Sequence, residues 1–156
     1  RQPVDALQYC GQSIDSYVRA DRFNAATAVC KKVIRLSPFV VRARCTLAWL
    51  AIGKGFVPEA QEFIDHYLLA AERAGREVLA RHQMKRMSAI ADAEPLRMFL
   101  AHRLLELGED RTADHLFGVV LRERNLRGRR RPAIGPRRRR LEARRFALKG
   151  PSDIAA

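Results

Sequence analysis

Apolar residues recur at three- and four-residue spacing along most of the chain, the period of helices that each bury one face. The pattern predicts helices over 6–19, 24–36, 43–52, 58–71, 77–91, 96–107 and 111–122, with almost no strand. Breaks between them carry stop and turn signals. Ser37 and Pro38 end the second helix, Gly53, Lys54 and Gly55 separate the third from the fourth, and Gly108 precedes the last. Glycine supplies the positive φ of a tight turn, and Pro58 suits the first turn of a helix. Each of three units therefore splits into two helices around a turn, an antiparallel pair.

The units repeat. A shift of 34 carries Phe23 to Val57, Ala26 to Ala60, Cys30 to Ile64, Val33 to Tyr67 and Ile34 to Leu68. A shift of 53 carries Leu47 to Leu100, Ala48 to Ala101, Gly55 to Gly108, Ala60 to Ala113 and Leu68 to Leu121. The difference leaves a 19-residue insertion over 75–93, whose apolar stripe of Ala80, Met84, Met87 and Ile90 or Ala91 predicts either an extension of the preceding helix or one extra helix in the stack. Ala26, Ala60 and Ala113 mark sites where two helices approach too closely for a larger side chain.

The segment Arg22-Phe23-Asn24-Ala25-Ala26, followed by Cys30, Val33, Ile34, Leu36, Ser37 and Pro38, resembles the second helix of a tetratricopeptide repeat and its terminal Pro. Leu47 and Ala48, then Gly55, Val57, Glu59 and Ala60, resemble the family's first-helix pair, turn Gly and packing Ala. The resemblance covers roughly residues 6 to 125 apart from the insertion. It implies an all-α solenoid of about three helix pairs whose first helices line a concave, peptide-binding groove. Matching repeat slots assigns that groove to Gln8, Gly11, Gln12, Asp15, Thr46, Trp49, Met98, Phe99 and His102. The slots of the family's carboxylate clamp hold Gly11, Asp15, Thr46, Pro95 and Phe99, so binding of chaperone C-termini is not implied. Trp49 and Phe99 suit an apolar partner segment if they face the groove, and the core if they do not.

Charge divides the chain in two. Residues 1–126 hold nineteen Lys or Arg against fifteen Asp or Glu, a net +4. Residues 127–149 hold eleven basic residues against the single acid Glu142, a net +10. The division predicts a helical domain over 1–126 and an extended tail over 127–156. Gly128, Pro132, Gly135 and Pro136 prevent a long helix before Arg137, though a short one can form over 138–148. Arg127, Arg129, Arg130, Arg131, Arg137, Arg138, Arg139, Arg140, Arg144 and Arg145 favour bidentate contacts to phosphate or carboxylate. A nucleic acid, an anionic membrane face or an acidic protein surface would each serve as the tail's partner.

No apolar run approaches the roughly 18 to 20 residues of a membrane-spanning helix. Cys10, Cys30 and Cys45 lack metal or disulfide-framework spacing and are expected as reduced, partly buried thiols in a cytoplasmic setting. His66, His82, His102 and His115 are scattered, without HExxH or a Cys partner at zinc spacing, so no metal or other cofactor is expected. His102 and Glu106 stand one helical turn apart, a common pairing on solvated faces. Gly53-Lys54-Gly55 follows a helix and is too short for a phosphate loop. The expectation is a non-catalytic adaptor or structural subunit that binds protein partners within a larger complex. The alternative is an RNA- or ribosome-associated protein whose tail is the main binding element.

Overall fold

A computed structural model describes the backbone of residues 2–126 and the side chains of residues 9–126. The described chain is all-α: α1 (Gln2–Arg19), α2 (Phe23–Leu36), α3 (Val41–Lys54), α4 (Val57–Arg73), α5 (Glu77–Ile90), α6 (Glu94–Glu106) and α7 (Asp110–Asn125). The closest packing joins α1 with α2, α3 with α4 and α6 with α7, three helix pairs with α5 inserted between the second and third. Helices α3 and α6 pack back on α2 and α4 of the preceding pairs, which stacks the pairs into a short solenoid.

The turns preserve the repeat register at the level of single atoms. Backbone φ is positive at Asp21 (55°), Gly55 (79°) and Gly108 (74°), positions separated by the sequence shifts of 34 and 53. At each, the next residue's N–H closes the helix end on a carbonyl five residues back: Arg22 on Tyr17 (2.8 Å), Phe56 on Ala51 (3.2 Å) and Glu109 on Leu104 (2.8 Å). This left-handed closure satisfies carbonyls that the helix end leaves free. The first unit achieves it with Asp, one of the few non-glycine residues that tolerate the left-handed region. Gly75 (φ 64°) and the bond from Arg76 to Ala71 (2.8 Å) repeat the same turn before α5. The inserted helix is thus entered as the paired helices are.

Ala26, Ala60 and Ala113, each the fourth residue of its helix, are fully buried, and Ala80 holds the same place in α5. Their small side chains let the helices after each turn close on their neighbours. One core cluster spans α1 to α3 and includes Ile14, Val18, Phe23, Cys30, Val33, Leu47 and Leu50. The larger one runs from α3 to α7 through Trp49, Ile52, Ile64, Met84, Met87, Leu100, Leu104 and Leu116. Helix α3 feeds both and is buried almost all round, from Thr46 through Gly53 without a break, as a helix at the centre of a stack must be. Phe63 on α4 touches both clusters at the seam between the first two pairs.

Candidate partner-binding surface

The residues assigned to the concave groove do not form one lining. Thr46 and Trp49 belong to the core instead, at 3% and 1% exposure. For Trp49 the reason is α5: its Nε1 donates to Gln83 Oε1 at 3.1 Å, and Met84 and Met87 join the cluster that encloses the indole. The inserted helix, packed on α4 and α6, thus reaches across to the Trp49 position of α3. Asp15 is half-buried and accepts from Arg42 Nη2 on both carboxylate oxygens (2.8 and 2.9 Å), which ties α1 to α3. Phe99 packs against the core with the Arg103 guanidinium 5.3 Å from its ring centre. His102 is exposed and meets Phe117 edge-on at 5.2 Å between centroids. Glu106 is engaged by Arg103 Nη1 at 2.7 Å, so the spacing of His102 and Glu106 does not yield an ion pair. Gln12 is exposed and Met98 half-buried. The side chain of Gln8 and the ten tail arginines lie outside the described residues.

Among the described residues no three His, Cys, Asp or Glu side chains are placed to hold a metal ion, and no helix is long and apolar enough to cross a membrane. All three cysteines are free; burial pushes the Cys30 and Cys45 thiols up to about 12. Protonated thiols of this kind are poor nucleophiles and poor metal ligands at neutral pH.

A different surface stands out by its charge. Between Asp21 and Glu59 the sequence contains no acid, while Arg22, Lys31, Lys32, Arg35, Arg42, Arg44 and Lys54 fall in that interval. Helices α2 and α3 carry it. Arg42 alone of the seven meets a carboxylate within the described residues. The total of +4 for residues 1–126 conceals this interval of +7, because the remainder holds twelve cations against fifteen acids; an acid-free window was the available signal.

Two clefts flank α2. One, of about 590 Å³, lies at the α1–α2 turn and is lined by Tyr17, Arg22, Asn24, Lys54 and Phe56, with Asp21 also on its wall. The other, of about 420 Å³, opens along the seam between α2 and α4 over α3. Its rim carries Lys31, Arg35, Arg44 and His66, its floor Ile34, Leu47 and Phe63, and no acid lines it. Arg44 is held by a bond from its Nε to the Pro38 carbonyl at 2.7 Å. Lys31 Nζ lies 5.6 Å from the centre of the Phe63 ring. Burial holds Arg44 below the usual guanidinium range; burial and the nearby Lys31 lower Lys54, with Glu59 acting against them. A partly desolvated cation without an ion pair, as Arg44 is among the described residues, favours an anion that reaches it. Comparison of the chain with protein-family models, with curated proteins and with solved structures finds no match, so its own geometry carries the functional argument.

Proposed function

We propose that the chain is a non-catalytic, tetratricopeptide-like adaptor or structural subunit that works in the cytoplasm, holding protein partners on its helical stack while the Arg-rich tail fastens it to an anionic or acidic surface. The observation that carries the reading is the concentration of cations without a salt bridge on α2 and α3, in a chain whose residues 127–149 add a net +10. The repeated turns at Asp21, Gly55 and Gly108 support the family likeness. Stacked helix pairs of this type offer broad rigid surfaces and suit binding more readily than chemistry.

The experiment is capture of partners by the tagged full-length chain from its native extract, with and without ribonuclease, washed at about 50 mM and about 500 mM salt. Protein partners should survive ribonuclease and be released as salt rises. Loss of every partner on ribonuclease treatment would transfer the function to RNA binding through the tail. Retention at high salt would remove the electrostatic role.

A further inference from the structure

We propose that the cleft between α2 and α4 is a docking site for an acidic peptide segment of a partner protein, one carrying apolar side chains among its carboxylates. The proposal rests on the adaptor reading and specifies what the adaptor grips.

Two features of the cleft select this chemistry together. The rim presents Lys31, Arg35, Arg44 and His66 with no acid among the lining residues. His66 lies 4.0 Å from Glu62 on its own helix, and the other three have no carboxylate within ion-pair distance among the described residues. Carboxylates entering from a partner therefore meet Lys31, Arg35 and Arg44 with no ion pair to displace. The floor of Ile34, Leu47 and Phe63 is apolar and open, a seat for one or two aliphatic or aromatic side chains.

A nucleic acid would use the rim and leave the floor idle. Single-stranded binders stack bases on aromatic faces, and the aliphatic Ile34 and Leu47 of the floor offer none. A second copy of the chain is disfavoured by repulsion between molecules of net charge +13. The cleft lined by Asp65, Glu72, Glu77 and Glu106 is also concave, and Arg103 within it already engages Asp65 and Glu106, so two such faces do not interlock. An extended or helical peptide fits a seam between helices, with alternate side chains reaching the floor and the rim.

The test uses the full-length chain and a fluorescein-labelled dodecapeptide of Asp and Glu interrupted by one Leu and one Phe, followed by anisotropy. The probes for comparison are the same peptide with Ser at the two apolar positions and an oligouridylate of equal length. The double variant Lys31→Glu with Arg35→Glu should weaken peptide binding by about tenfold or more, as expected when charge pairs at an interface are reversed. Arg111→Glu with Arg122→Glu, exposed on α7, changes the net charge equally and should cost no more than about twofold. The Ser peptide should bind the unaltered chain at least about fivefold more weakly.

Circular dichroism establishes that each variant keeps its helices. Equal losses in the two double variants would overturn the proposal, because attraction would then be general and include the tail. So would equal binding of the Ser peptide, absence of peptide binding, or tighter oligouridylate binding with the same dependence on Lys31 and Arg35. Dimerisation in sedimentation that the cleft variant abolishes would give the cleft to a second copy and likewise overturn it. A chain that captures protein partners but fails these tests keeps the adaptor role and loses the cleft; one that captures none loses the adaptor role itself.

Discussion

Replacing Trp49 by Ala removes the largest fully buried side chain of the stack from the place where α3, α4 and α5 meet. Truncating a buried Trp costs about 3 to 5 kcal/mol, the transfer of the ring plus the cavity left behind. The Nε1 bond to Gln83 contributes about 0.5 to 1.5 kcal/mol of net stability within that change. Domains of this size have total stabilities of about 5 to 15 kcal/mol, so the variant should lose about a fifth or more. Urea unfolding followed by circular dichroism measures the loss directly. Gln83→Ala isolates the polar part: it removes the amide acceptor of the indole N–H, which keeps the Cys45 sulfur beside it, and should cost about 0.5 to 1.5 kcal/mol. The two substitutions share a contact, so their effects should fall short of additivity by at least about 0.5 kcal/mol. A loss below about 1 kcal/mol for Trp49→Ala, or strict additivity with Gln83→Ala, would refute the placement of α5 over α3.

Ala60 is fully buried between α3 and α4, and Ala60→Leu should overpack that crossing and destabilise by about 1 to 3 kcal/mol in the same assay. The raised thiols give the fold a pH dependence: native Cys30 and Cys45 stay protonated to about 12, while the unfolded thiols ionise from about 9. Stability present below pH 9 should therefore fall as pH rises, by up to about 1.4 kcal/mol per pH unit for each thiol, and Cys30→Ala with Cys45→Ala should flatten the slope.

Gly55, Gly108 and the alanines five residues after them reveal the helix pairs in the sequence, because each answers a local backbone or packing demand. Asp21 occupies the same turn less visibly, since Asp meets the positive φ without being glycine. The extra helix was legible as an amphipathic stripe, and Ala80, Met84, Met87 and Ile90 are indeed its buried face. Its destination was not. Helical periodicity tells which side of α5 is apolar and says nothing about which neighbour that side covers, so a repeat template leaves Thr46 and Trp49 in a groove when they are core. The cationic surface was hidden by averaging over residues 1–126.

The two ends of the stack handle charge differently, and the contrast supports binding at the cationic end. From α4 onward at least four of the ten cations are matched by acids of other elements: Arg103 with Asp65 joins α6 to α4, Arg97 with Glu123 and Arg124 with Glu94 join α6 to α7, and Lys85 with Glu109 ties α5 to the α6–α7 turn. Exposed pairs of this kind contribute only about 0 to 1 kcal/mol each, so their main consequence is to neutralise the surface they cover. Around α2 that neutralisation is missing among the described residues, apart from Arg42 with Asp15. The fold does not require it to be missing: Lys31, Lys32 and Arg35 are exposed and could alternate with acids without disturbing the buried face of Phe23, Ala26, Cys30 and Val33. Their mutual repulsion opposes folding weakly and attracts an anion strongly once desolvated. A surface that forgoes internal pairing, beside an open apolar floor, is what the proposed docking of an acidic segment requires.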